Sequence, residues 1–474
     1  MGKQNLGIRL MQEGGGWSDI LRQLGVGSPA PVELNKLEPE DAALVIINRS
    51  INTDESKALQ TYVACGGNIL WARTGPSWRL DEIFNEMTTF PTPMFARYFE
   101  KEYPKYKWRR RRFFAPNSVE PTELVNGYNR GAIRRYVEQT LSKVFEKISL
   151  PFLRLDPYPK GVDQVFGFRI DSDFGDEGSI LAIRKLAEKY GVPTTWFLHV
   201  QAHERWLDVF KDFRDDEIAV HCYRHRSFYS GNKNRENMLK AKLALQEAGF
   251  DPEGFAAPYG YFSKSMGQAV HDAGFKYSSE FGFDFDNLPD RPKHGGVLQI
   301  PVHPICPGSF KREKATDAIK HAYFEAIAAE KSARREPFFL YHHPLQNQGN
   351  LDVIERVFQT INNSKATKMT MGQFADWWKE RENIRFTPVL DGDRIDMQLE
   401  TPADTTFEPQ FRIQRPDAIS RTSGGLINTQ ELRFEPLGEE VLKRDQRWHD
   451  GQKLDIRMIK TNLLDLRWRL QASL

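Results

Sequence analysis

Along the first 380 residues the hydrophobic positions fall into two kinds of segment: short unbroken apolar runs, and longer amphipathic stretches that stop at glycine. Ala43-Leu-Val-Ile-Ile47 is an unbroken run, the pattern of a strand buried on both faces. Leu6–Leu10 and Asn68–Trp71 read as shorter strands, and the helices between them stop at Gly25 and at Gly66-Gly67. Asp54 is placed to cap the second of these helices. This alternation predicts an open α/β layer over residues 5–72. A further helix is predicted over 131–147. The β–α rhythm returns between 165 and 380. Leu186–Tyr190 stops at Gly191 before the strand Thr194–Leu198, Leu239–Ala248 stops at Gly249, and Val270–Ala273 stops at Gly274 before Phe275–Ser278. A glycine just past a helix takes the left-handed conformation that ends it. Repeated units of this size predict a parallel barrel or a doubly wound sheet. Beyond 385 the period drops to two. Arg394–Glu400 and Leu464–Gln471 alternate apolar and polar residues, which predicts half-buried antiparallel strands and a small C-terminal β-sandwich.

Composition narrows the function. The 474 residues carry 66 basic against 64 acidic side chains, which excludes nucleic-acid binding by bulk charge. Three cysteines (Cys65, Cys222, Cys306) exclude a disulfide-stapled scaffold. Cys65 precedes Gly-Gly at a helix end, where a helix stop is the natural reading rather than a nucleophile. The N-terminus lacks the basic segment and apolar run of a secretory signal, and Leu6 stands where a myristoylation signal needs Ser or Thr, so the expected address is cytoplasmic. One local departure is residues 101–114, where lysines and the run Arg109–Arg112 interleave with Tyr103, Tyr106, Trp108, Phe113 and Phe114. Such a segment can contact an anionic lipid or a sugar-phosphate, or simply pack its aromatics against a neighbouring domain. The expected division is 1–115, 116–383 and 384–474, with the first part loosely resembling flavodoxin-like or amidotransferase-like domains.

The chemistry gathers at predicted strand ends. Phe168-Arg-Ile-Asp171-Ser-Asp173 runs a strand into two spaced carboxylates. At the C-terminal end of a barrel strand such residues face the mouth. Ile218-Ala-Val-His221-Cys-Tyr-Arg-His225 leads a strand into His-x-x-x-His, which on a helical turn puts both imidazoles on one face to share a cation. Two histidines and a carboxylate form a common catalytic metal set with positions left open. Gly254–Gly260 ends in Pro258-Tyr259-Gly260, a turn able to aim a backbone N–H into a cleft. Phe338–Tyr341 leads into His342-His343.

Together and in this order, these four strand ends resemble the polysaccharide deacetylase family, the NodB-like carbohydrate esterases, over about residues 165–380. The resemblance implies a distorted (β/α) barrel that removes acetyl groups with one divalent metal: zinc, or cobalt, nickel or manganese. It implies Asp173, His221 and His225 as metal ligands and Asp171 as base. It also implies the Tyr259 N–H in the oxyanion hole and a strand-end histidine as acid, with His343 favoured over His342. Two departures stand out. The family's motif-three arginine is Ala256 here, and Arg169 is the proposed replacement for orienting the base. The motif-four Asp-Trp is not evident; Glu280, Asp284 or Asp286 could tune the acid, with Tyr277 or Phe281 for the tryptophan. The implied function is hydrolysis of an acetyl group, an N-acetyl group first, from a sugar used as a precursor of a surface polysaccharide. The alternatives are a related amidohydrolase acting on a non-acetyl or small cyclic amide, and a non-catalytic sugar-binding member of the family.

Overall fold

A computed structural model describes residues 3–12, 17–27, 33–73, 130–260, 262–281, 288–292, 295–313 and 315–438. It also describes the strands at 86–89, 112–114 and 118–120 and isolated positions between 459 and 470. The basic-aromatic side chains of 101–114 and the candidates Asp284 and Asp286 lie outside the described residues.

Eight parallel strands build the sheet that carries the site. They are β1 (Gln164–Asp171), β2 (Thr194–Leu198), β3 (Glu217–Val220), β4 (Gly254–Phe255), β5 (Tyr277–Ser278), β6 (Leu298–Gln299), β7 (Phe338–His342) and β8 (Ala366–Lys368). Their order is β6-β5-β4-β3-β2-β1-β7, with β8 also pairing β1. Every residue of β1, β2 and β7 is buried, as a sheet covered on both faces requires. The sheet curls nearly shut. Past β6, Val302 N–H donates to Glu280 O at 2.8 Å and His303 N–H donates to Phe339 O of β7 at 2.7 Å. Gly191 (φ +58°), Gly249 (φ +92°) and Gly274 (φ +69°) take positive φ at the three helix ends of this region where the pattern predicted stops. Register does the positioning. Phe197 pairs with Asp171, Leu198 with Val220, Val220 with Phe255, and His342 with Ile170. The residues that follow β1, β2, β3, β4 and β7 therefore emerge at one edge. This is the curled (β/α) barrel expected for the middle of the chain.

By packing, the described chain groups into two units. One gathers 1–99, 131–161 and 377–437; the other gathers 100–130, 162–376 and 438–474. The sequence divisions at 115 and 383 follow the order of elements along the chain, whereas this grouping follows which elements pack together.

In the first unit, strands Ile8–Leu10, Leu44–Ile47, Ile69–Arg73 and Glu86–Thr89 form a parallel sheet in sequential order. A flavodoxin-like sheet flanks its first strand with its second and third, so that part of the expectation is corrected among the described residues. Asn52, not Asp54, caps the helix Thr53–Ala64, in a reciprocal pair with Glu55. Arg385–Asp391 and Arg394–Glu400 pair antiparallel with alternating burial at their inner positions, and Gln4–Asn5 adds an edge. Phe152–Pro159 joins Pro409–Gln414 in a second antiparallel sheet. The Phe386 and Phe411 rings, 5.0 Å apart, bridge the two sheets. The expected strand Leu464–Gln471 is corrected: Ile459, Asn462, Leu463, Leu466, Arg467 and Leu470 are helical. Ile459, Leu463, Leu466 and Leu470 also fall at helical spacing, so this stretch carried both periods at once.

Candidate active site

Asp171 is the last residue of β1 and is buried. Arg169, two positions earlier on the same face of the strand, grips it with both ends of its guanidinium: Nε donates to Oδ1 at 2.6 Å and Nη2 to Oδ2 at 2.7 Å. Arg169 Nη1 donates to the main-chain oxygen of Ser279 at 2.6 Å, which fixes the fork. Burial opposes the charge on Asp171, but the guanidinium outweighs it and holds the carboxyl below its ordinary range. Arg169 thus contacts the carboxylate that it was expected to orient in place of an arginine at Ala256.

Two residues on, the chain turns. Asp173 sits at φ +46°, an uncommon conformation for a residue with a side chain. Its Oδ1 lies 3.4 Å from His221 Nε2 and 2.9 Å from His225 Nε2, and the two imidazole nitrogens are 3.1 Å apart. Among the described residues, Asp173, His221 and His225 are the one group whose ligand atoms all lie within 4.8 Å of one another. His221 follows β3 directly, and its Nδ1 is 2.9 Å from Ala256 O. A carbonyl only accepts, so Nδ1 carries the hydrogen and Nε2 presents its lone pair to the cluster. Asp173 Oδ1 is buried without a protein donor in proper geometry. Converging acceptors of this kind fit a divalent cation, and their mix of nitrogen and oxygen suits zinc. Burial opposes the charge of Asp173 as well, yet its surroundings, the charge of His343 first, hold it well below the carboxylate range.

The His-x-x-x-His segment is not helical. Residues 221–225 form a loop in which Cys222 takes φ +70°, so the loop turn, not helical spacing, brings the two imidazoles together. Cys222 is buried, and burial pushes its thiol well up, away from the thiolate a metal would need.

The histidine pair after β7 divides in two directions. His343 Nε2 lies 3.8 Å from Asp171 Oδ2 and 3.9 Å from Asp173 Oδ2. Burial alone would lower its pKa, but Asp173, Cys306 and Asp171 outweigh it and push it up to about 10. His342 faces away, its Nε2 3.0 Å from Asn347 Oδ1, and burial lowers it to about 3. Tyr259 occupies the Pro258–Gly260 turn at φ +62°, with its ring centroid 4.8 Å from that of His225.

The other candidates sit apart from His343. Glu280 Oε1 accepts the Ala257 N–H at 3.1 Å, and burial raises its carboxyl well above the ordinary range. Tyr277 hydroxyl donates to Glu217 Oε1 at 2.7 Å, at the start of β3 and so at the opposite edge of the sheet. The Phe281 ring lies tilted with its centroid 5.0 Å from that of Tyr341, which in turn lies 5.4 Å from His343. Sequence reasoning passed over two groups. Phe174, 61 % exposed, stands edge-on to His199 at 4.7 Å and His225 at 5.7 Å. His199 ends β2 in the same way that His221 ends β3, and that strand-end position was the available signal.

Residues 173–278 match the polysaccharide deacetylase family model. A peptidoglycan deacetylase of Helicobacter pylori is 29 % identical over 109 residues, 22 % of this chain and 37 % of that protein. The chain thus spans little more than a third of that relative's length. Two solved structures are similar. A putative polysaccharide deacetylase from Mycobacterium smegmatis has 17 % identity and TM-score 0.41, covering 47 % of this chain and 92 % of that one. A probable polysaccharide deacetylase from Pseudomonas aeruginosa has 19 % identity and TM-score 0.40, covering 49 % and 96 %. The likeness to the polysaccharide deacetylase family, a family of hydrolases, is thus carried by residues 173–278. The matched segment holds Asp173, His221, His225 and Tyr259, while Arg169, Asp171 and His343 lie beyond its ends.

Proposed function

We propose that this protein is a metal-dependent deacetylase that hydrolyses an acetyl group, an N-acetyl group in our reading, from a sugar. One observation carries the reading: at a single sheet edge, a two-imidazole, one-carboxylate cluster stands beside an arginine-held carboxylate and a histidine within 4 Å of both acids. The name of the Helicobacter pylori relative supports the same chemistry.

Asp173, His221 and His225 would hold the ion, zinc first. When bound, such an ion supplies Lewis-acid polarisation of the acyl carbonyl and a lowered pKa for the attacking water. Asp171, kept ionised beside Arg169, takes the proton of that water. The Tyr259 N–H donates to the oxyanion formed on the acyl oxygen, and losing one such donor typically costs about 3 kcal/mol. His343 carries a proton and hands it to the leaving amine, so that acetate and a free amino sugar depart. The substrate in this reading is a nucleotide- or lipid-linked precursor of a surface polysaccharide. The basic and aromatic residues of 101–114 would meet its phosphate, and the α/β layer and C-terminal β-sandwich would act as accessory domains.

Metal content measured together with acetate release tests the proposal, using a panel of N-acetylated sugar nucleotides and peptidoglycan fragments. Acetate from none of them, or a different product, overturns the deacetylase reading. His221→Ala should abolish both metal binding and turnover; turnover at the wild-type rate would overturn the metal assignment. Neutralising Arg109–Arg112 should weaken affinity for the phosphate-bearing substrates, and unchanged affinity removes that contact.

A further inference from the structure

Each ligand-bearing loop contains a residue in a conformation it would not choose: Asp173 at φ +46° and Cys222 at φ +70°. Left-handed backbone at residues other than glycine is unfavourable and persists only where surrounding contacts enforce it. One side chain touches both loops. His199 Nδ1 lies 2.7 Å from the main-chain oxygen of Asp173, and His199 Nε2 lies 3.2 Å from the His225 N–H. The first partner only accepts and the second only donates, so the ring is held with hydrogen on Nδ1 and a free pair on Nε2. The backbone around His199 repeats the clamp. Its own N–H donates to Ser172 Oγ at 2.9 Å, and that hydroxyl also meets His203 Nε2 at 2.7 Å. Val200 N–H and Gln201 N–H donate to Cys222 O at 3.2 Å and Tyr223 O at 3.0 Å.

We infer that His199 is a positioning residue for the metal site, setting the distance between Asp173 and His225 through their main chains without itself being a ligand. The inference rests on the metal reading above. Groups that orient metal ligands from behind typically contribute 10–100-fold to affinity.

The test is Co²⁺ titration of the full-length protein, following both the dissociation constant and the d–d absorption of the bound ion, for wild type, His199→Ala and His199→Asn. The asparagine amide can restore the donor to Asp173 O. We expect His199→Ala to lose 10–100-fold in Co²⁺ affinity with an altered d–d spectrum, and His199→Asn to recover part of both. His199→Ala binding within threefold of wild type, or a loss that His199→Asn leaves unrepaired, overturns the inference. A wild-type protein that binds no Co²⁺ brings down the metal reading and this inference with it. Wild type and His199→Ala binding alike bring down this inference alone.

Discussion

Two buried charge clusters in this chain are built on opposite principles. Around Asp156, in the first unit, donors meet acceptors. Arg412 Nε donates to its Oδ2 at 2.8 Å, Arg421 lies 3.3 Å from the same oxygen, and Arg154 pairs with Glu138. Arg381 spends its donors on carbonyls, including those of Asp156 at 2.9 Å and Leu155 and Gln23 at 3.2 Å, the last at the end of the helix Trp17–Leu24. Even there burial lowers Arg154 to about 10 and Arg381 to about 9. At the barrel edge, two imidazole Nε2 atoms and a carboxylate oxygen crowd within 3.4 Å, and His221 Nε2 meets the carboxylate with a lone pair. The first arrangement pairs opposite charges within the protein and serves the fold. The second gains from a proton or a cation, and that need is what marks it as a site.

Substitutions should separate the two. The largest effect is expected at Asp171. Asp171→Asn should lower kcat by about 10²–10⁴-fold while metal binding persists, because it removes the proposed base and leaves the proposed ligand set intact; steady-state kinetics with metal analysis checks both. Next comes Asp156→Ala, expected to cost about 3–5 kcal/mol of unfolding free energy by leaving the buried Arg412 and the half-buried Arg421 without their counter-charge. A denaturation midpoint unmoved from wild type would place Asp156 outside the stabilising core of its unit. Chelation should act on the other cluster alone. Removing an ion held at a hundred times its Kd costs about 2.7 kcal/mol, seen as a lower Tm that added metal restores in wild type but not in His221→Ala.

The smallest expected effect is a pH dependence. In the metal-free protein the folded pKa of His343, about 10, lies above its ordinary value, so its stabilising contribution is complete below about pH 6.5 and fades as pH rises through 10. Tm of the metal-free protein should therefore decline across this window, and Asp173→Asn, which removes the leading favourable charge, should flatten the decline. A steeper decline in that variant would assign the effect to another group.

Much of this contrast was legible in the sequence on one side only. Asp171, Asp173, His221 and His343 each follow a short apolar run, and a strand end marks its neighbours because burial stops where the run stops. The same local logic misled at His221–His225, where a helical turn was read into a loop held by Cys222 at φ +70°. It misled again at Leu464–Gln471, whose leucines satisfy the strand and helix periods together. The Asp156 cluster left no local trace at all, since Arg154, Arg381 and Arg412 stand far apart along the chain.

What the sequence determined by itself is the alternation of strand and helix, the residue types that end the strands and the resemblance to deacetylases, because hydrophobic period and strand-end chemistry are short-range properties. Only the tertiary structure decided that Arg169 grips Asp171, that His343 and not His342 faces the carboxylates, and that His199 ties the two ligand loops together. Those choices depend on strand order and register, which bring residues distant along the chain to within a hydrogen bond of one another.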